Sequence, residues 1–265
     1  MKDSLKNFKK VLNHLKHPPI PISPKDKGII KKLKEEFEHN KRTFIFNRFK
    51  YYVDCLYCHA MPGTIEKVLL ILNSFKIKQG ENNKLLNLGG GTGQVSDMIK
   101  YIGFDVYNLD IEVSDEDEFN KQHNLNDFID LPYEENSFNF VLCQEVIEHI
   151  ENPWKLFRDI KRVLKDNGTL ILTTPNIQSK HSKKVFSRNH FGYFNWFGEK
   201  DLSYHINPVP FWEIELIASK SGFLFKLLDG NGSYYFSKKL SREKTIDKNE
   251  NLIFVYEKID DKKGK

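Results

Sequence analysis

At 265 residues, with 39% apolar content, the chain has enough material for one sizeable α/β domain with appended elements. Its 41 basic residues are interspersed with 36 acidic ones, so the net charge of +5 is spread over a mixed surface and does not point to a nucleic-acid partner. No apolar run is long enough to form an integral membrane segment, the charged opening is unlike a signal peptide, and three cysteines give no disulfide framework, so the expected compartment is the cytoplasm.

Residues 1–17 read as a short basic amphipathic segment, and the proline-rich run from Pro18 to Pro24 forces an extended linker. Ser23 is placed to cap a new helix with Pro24 in its first turn, and Ile29, Ile30, Leu33 and Phe37 give that helix an apolar stripe. The aromatic-rich stretch 41–62 follows, then a helix from about Gly63 to Phe75, so residues 1–80 are expected to be an N-terminal helical extension covering the substrate side of a domain spanning 81–265. Within it, Cys55-Leu56-Tyr57-Cys58-His59 spells C-x-x-C-H, but Cys143 is the only other cysteine, and neither haem nor a metal ion is expected.

Leu85, Leu86 and Leu88 suit a buried strand, and Val95, Met98, Ile99 and Ile102 recur at helical spacing until Gly103. Between them lies Gly89-Gly90-Gly91-Thr92-Gly93, a turn whose missing β-carbons let a ligand lie against the backbone, with the amides of the next helix pointing at it. Phe104 to Leu109 reads as a second strand that delivers Asp110 to its C-terminal end, where a doubly wound sheet places the carboxylate that receives ribose hydroxyls. Farther on, Asn152-Pro153 starts a helix expected to end at Asn167-Gly168, and Thr169 to Thr174 reads as a strand. Residues 177–208 form a long insertion rich in His, Phe and Tyr, a length that in a compact domain signals function. A helix over Phe211 to Ser221 and strands over Gly222 to Leu228 and Leu252 to Tyr256 complete the pattern.

An ordered series of segments then extends the argument. Leu131-Pro132-Tyr133 precedes Ser137-Phe138-Asn139, Glu145-Val146-Ile147-Glu148-His149 follows, and Arg162-Val163-Leu164-Lys165 and Thr174-Pro175-Asn176 close the series. Together with the glycine loop this resembles the class I S-adenosylmethionine-dependent methyltransferases over residues 83 to 177. The resemblance implies a Rossmann-like, seven-stranded, mostly parallel α/β sheet with helices on both faces and S-adenosyl-L-methionine as cofactor. It assigns the methionine portion to Asn87, Gly89, Gly90, Gly91, Thr92 and Gly93, the ribose to Asp110 with Ile111 beside it, the adenine to Asn124 and Leu125, and the sulfonium to Gln144 and Glu145. Asn126 and Asp127 are alternatives to Asn124. Asn87 and Asn139 depart from the family, which has acidic residues at both places.

Methyl transfer to a hydroxyl benefits from a base poised near neutral pH, so His149 and His205 are the candidate catalytic residues, whereas His181 and His190 read as surface residues. His205-Ile206-Asn207-Pro208 resembles a segment of methyltransferases associated with bacterial surface sugars. The expected activity is O-methylation of a small molecule, a sugar or surface-glycan precursor. An RNA or quinone O-methyltransferase and a catalytically silent cofactor-binding module are the alternatives.

Overall fold

A computed structural model describes residues 24–37, 41–46, 49–54, 56, 60, 63–75, 83–113, 115–189, 205–230 and 242–260. Helix α1 (Pro24–Glu36) is followed by a two-stranded antiparallel ribbon, β1 (Lys41–Phe46) and β2 (Phe49–Asp54), and then by α2 (Thr64–Ser74). The N-terminal extension is therefore helical only in part. Residues 41–54 are rich in the aromatic and β-branched types that favour a pleated ribbon over a helix. Ser23 and the Cys55, Cys58 and His59 of C-x-x-C-H lie outside the described residues.

The remaining elements are β3 (Lys84–Leu88), α3 (Gln94–Tyr101), β4 (Asp105–Asp110), β5 (Asn120–Gln122), β6 (Phe138–Gln144), a 3₁₀ turn (Ile147–His149), α4 (Pro153–Val163), β7 (Leu164–Pro175), α5 (Lys180–Asn189), α6 (Phe211–Lys220), β8 (Phe223–Gly230), α7 (Arg242–Lys248) and β9 (Asn251–Lys258). The large sheet has seven strands in the order β5-β4-β3-β6-β7-β9-β8. Strands β5, β4, β3, β6 and β7 run parallel, and β9 inserts antiparallel between β7 and β8. The order reverses between β3 and β6, so the carboxyl ends of those two strands open the crevice where such sheets bind ligands.

Two apolar layers hold the helices on the sheet. Leu86, Leu88 and Phe138 join Phe157 and Ile160 of α4 and Ile214 and Ile217 of α6 on one face. Leu85, Val106 and Phe140 meet Leu33 of α1, Leu69 of α2 and Ile99 of α3 on the other. Successive strand residues thus serve opposite faces, as the two-residue pleat period requires.

Helix α4 ends at Val163, short of the expected Asn167-Gly168. The amides of Asn136 and Ser137 take its last carbonyls, those of Arg162 and Val163, and Leu164 already pairs with Phe138 in the sheet. Asn167 at φ +60 lies in the irregularity between that pair and the regular ladder that begins at Thr169. Arg162 also donates from its guanidinium to the carbonyls of Tyr133 and Leu131, each at 2.7 Å, which ties those two segments together.

Candidate active site

The site begins where β3 turns into α3. The Gly89 amide donates to Leu109 O at 2.8 Å, tying the loop to β4. Beneath it, Asn87 Nδ2 donates to Ser96 Oγ at 3.0 Å, Ser96 Oγ to Asn108 Oδ1 at 2.9 Å, and Asn108 Nδ2 to Gly91 O at 3.1 Å. All three side chains are buried, so strand, helix and neighbouring strand supply one polar floor under the turn. A β-carbon on Gly90 would collide with Asn108 Oδ1 and lie 2.5 Å from Asn87 Nδ2. Gly91 is the reverse case: φ is +54 and nothing lies within 4 Å of an added β-carbon, so it presents bare backbone to open space. Thr92 is exposed at the crest. Gly93 caps α3 without any side-chain bond, leaving that helix terminus to face an anion.

Asp110 sits across from this loop. Its Oδ2 accepts from the Gly91 amide and its Oδ1 from the Glu112 amide, both at 2.8 Å. Each carboxylate oxygen keeps a lone pair for a ligand hydroxyl. Ile111 beside it is exposed and apolar. Past β5, Leu125 packs against the core, Asn124 Nδ2 donates to Asp127 Oδ1 at 3.0 Å, and Asn126 donates to His149 O at 3.0 Å while its Oδ1 accepts from the Glu151 amide at 2.9 Å. Asn126 therefore staples the β5 loop to the turn after β6. Asn139 stands at the opposite end of β6, where it accepts from Lys165 Nζ at 3.3 Å, so its departure from the family does not touch the cofactor edge.

At the carboxyl end of β6, Gln144 Oε1 is buried with no hydrogen-bond partner among the described residues. Glu145 follows at φ +54, a left-handed conformation that a non-glycine residue adopts only when its surroundings enforce it. The enforcement is visible: its carboxylate accepts from Thr173 Oγ1 at 2.6 Å and, through both oxygens, from Asn251 Nδ2 at 2.8 Å. Burial pushes that carboxyl up to about 7, against the pull of those hydrogen bonds. Glu148 is fully enclosed, and burial followed by the repulsion of Glu145 drives its carboxyl well above the ordinary range.

The insertion brings His205 to this edge. The Asn207 amide donates to Glu148 O at 2.9 Å and Asn207 Nδ2 to Ile150 O at 3.1 Å, clamping the segment onto the 3₁₀ turn. The His149 and His205 rings stand 4.7 Å apart at 78°. His181 lies on α5, partly buried, and burial lowers its pKa. His190 and Tyr204 lie outside the described residues. A separate cavity of about 530 Å³, lined by Lys84, Tyr107, Lys121, Tyr133 and neighbours, opens near the starts of β3 and β6, at the edge away from this chemistry.

Several contributors carried no role in the sequence reading. Glu148 was visible only as part of a motif, and Thr173, Asn207 and Asn251 act through partners far along the chain. Ser96 and Asn108 did leave a signal, because each is a polar residue at a position whose helix or strand period calls for an apolar one.

An open α/β sheet with a glycine-rich turn at its switch point and an acidic residue ending the next strand defines a cofactor-binding enzyme of the nucleotide type. The profile of the methyltransferase-domain family matches residues 57–223, and the chain belongs to that family, whose methyl donor is S-adenosylmethionine. The chain is 28% identical over 208 residues to an uncharacterized protein of Methanocaldococcus jannaschii, covering 78% of this chain and 87% of that protein. It is 26% identical over 112 residues to a ubiquinone biosynthesis O-methyltransferase of Glaesserella parasuis, covering 37% of this chain and 47% of the relative. A sarcosine/dimethylglycine N-methyltransferase of Aphanothece halophytica is 33% identical over 104 residues, covering 35% and 38%. The chain thus spans less than half the length of these two named methyltransferases. In structure it resembles a SAM-dependent methyltransferase of Methanosarcina mazei with a TM-score of 0.51 at 17% identity, over 71% of this chain and 97% of that one.

The residues present fit the donor. The uncapped α3 terminus and the bare Gly91 backbone suit the methionine portion, Asp110 suits the ribose, and Ile111 and Leu125 offer apolar surface to the adenine.

Proposed function

We propose that this methyltransferase acts on an oxygen of a small hydroxylated acceptor, a sugar or surface-glycan precursor, in the cytoplasm. The observation that carries the reading is the His149–His205 pair, held 4.7 Å apart at the carboxyl end of β6, beside the residues assigned to the sulfonium. When bound, S-adenosylmethionine supplies an electrophilic methyl group. The chain's own share is to hold the acceptor oxygen in line with that group, a proximity effect worth up to ~7–11 kcal/mol of barrier. The Glu148–His149–His205 cluster is where the hydroxyl is held and where its proton leaves as the C–O bond forms and the methyl–sulfur bond breaks, releasing the thioether. The segment His205-Ile206-Asn207-Pro208 and the aromatic content of the insertion favour a sugar acceptor, with His205 and the residues just after it forming one wall of the acceptor pocket. Cytoplasmic placement is supported by the low cysteine count and by the free, buried Cys143; among the described residues no helix is long and apolar enough to cross a membrane.

A quinol acceptor is a second reading, favoured by the match to a ubiquinone biosynthesis O-methyltransferase and by the exposed apolar side chain of Ile206 beside His205. Incubation with label-bearing S-adenosylmethionine and a panel of nucleotide sugars, free sugars, quinols, amines and RNA separates the two. Methylated sugar is the expected product, and label transferred only to quinol, amine or RNA overturns the sugar assignment. His205→Ala should cut turnover at least about tenfold, roughly 1.4 kcal/mol in barrier, while leaving adenosylhomocysteine affinity nearly intact. Wild-type turnover at a reduced melting temperature would show instead that His205 only anchors the segment.

A further inference from the structure

Glu148 carries an electrostatic difficulty that its neighbours leave half solved. Thr174 Oγ1 donates to Oε2 at 2.9 Å, yet Oε1 is buried with no hydrogen-bond partner among the described residues. A buried carboxylate in that state is strongly unfavourable unless a proton or a cation neutralises it. Two imidazoles face this carboxylate, one from the same turn and one delivered by the insertion. One ligand atom each from Glu148, His149 and His205 lies within 4.8 Å of the others.

We infer that Glu148, His149 and His205 form a binding site for a divalent transition-metal ion of the zinc type, with open coordination positions facing the acceptor. One carboxylate oxygen and two imidazole nitrogens suit borderline ions such as Zn²⁺ better than Mg²⁺ or Ca²⁺, which prefer oxygen throughout. Three protein ligands with a position to spare is the pattern of catalytic sites, whereas structural zinc sites close all four. Donor atoms about 2.0–2.2 Å from zinc lie roughly 3–4 Å apart, so the cluster closes on an ion with a movement of about 1 Å. The two rings are only partly buried and can turn by that amount. The supporting shell is already built: Thr174 orients one oxygen of Glu148, while Asn126 and Asn207 fix the backbone of the turn that carries Glu148 and His149. The use of the ion rests on the oxygen-acceptor reading above and refines its proton step. An ion held there would acidify a hydroxyl bound to it, so that the proton passes to solvent as the C–O bond forms and the methyl–sulfur bond breaks, and the imidazoles would hold the ion instead of taking the proton.

The test is calorimetric titration of the chelator-stripped full chain with ZnCl₂, in the wild type and in Glu148→Gln, His205→Ala and a Cys55→Ser/Cys58→Ser double variant. One ion per wild-type chain is expected, with affinity reduced roughly 100-fold in the first two variants and unchanged in the third. Cobalt loading should give absorption without thiolate charge-transfer bands. No zinc binding by the wild type overturns the site, as does binding that survives Glu148→Gln and His205→Ala or disappears only with the cysteines. Adenosylhomocysteine affinity measured on each variant shows that the fold is intact, and His205→Gln replaces His205→Ala if the latter does not fold. Zinc binding without transfer to any hydroxylated acceptor would leave this site standing and remove the acceptor reading. Chelator-insensitive transfer without zinc binding would do the reverse.

Discussion

Gly90 and Gly91 are adjacent in the loop, yet the structure gives their glycines different reasons to exist, and alanine at each should separate folding from binding. A β-carbon on residue 90 enters the polar floor, where Asn108 Oδ1 and Asn87 Nδ2 cannot both stay in place. Displacing them breaks the chain of three hydrogen bonds running Asn87 to Ser96 to Asn108 to Gly91. At about 1 kcal/mol net for each, Gly90→Ala should destabilise the cofactor-free protein by about 3 kcal/mol. Gly91→Ala meets nothing within 4 Å, so its cost is only the left-handed backbone at φ +54, roughly 1–2 kcal/mol. Its larger effect should fall on the ligand: the added methyl would occupy the open space assigned to the donor, and adenosylhomocysteine affinity should drop at least about tenfold, roughly 1.4 kcal/mol. Urea unfolding of the cofactor-free variants measures the first quantity, and calorimetry with adenosylhomocysteine the second. A wild-type urea midpoint for Gly90→Ala, or a larger folding loss for Gly91→Ala than for Gly90→Ala, would refute the division of labour.

Two further outcomes follow from single groups. Asp110→Ala should weaken adenosylhomocysteine binding by ~1.5–3 kcal/mol, the range for hydrogen bonds to a charged group; an unchanged Kd in a folded variant would remove Asp110 from the ribose site. Burial raises the Glu250 carboxyl from 4.5 to about 8. Between those values the unfolded chain has released the proton and the folded one retains it, so stability falls as pH rises through that window. Glu250→Gln removes the titration, and its melting-temperature gain over wild type should therefore grow from pH 5 to pH 8, whereas a gain independent of pH would contradict the burial argument.

The meeting of the glycine loop with Asp110 was legible in the sequence because its signals are local. A strand, a glycine turn and a helix lie within one short stretch, and Asp110 ends the very next strand, so apolar period and glycine placement suffice to assemble them. The same holds for the parallel sheet, since alternating strand and helix periods admit few arrangements. Local pattern failed where two partners competed for one segment. The residues after Val163 read as more helix, but sheet pairing of Leu164 with Phe138 and capture of the last helical carbonyls by Asn136 and Ser137 outweighed helical period there.

The proposed acceptor side belongs to the tertiary structure. Glu145 keeps its strained backbone only because Thr173 and Asn251 arrive from two other strands, and nothing near it in sequence predicts either. His205 becomes a neighbour of His149 only because Asn207 bonds the carbonyls of Glu148 and Ile150. Sequence by itself determined the strands, the glycine loop and, through the ordered segments that resemble a methyltransferase family, the donor, because each of these signals lies in adjacent residues. What surrounds the proposed acceptor site was decided by hydrogen bonds between segments far apart in the chain, whose partners are chosen only when the core has closed and the polar groups at its edge must be satisfied.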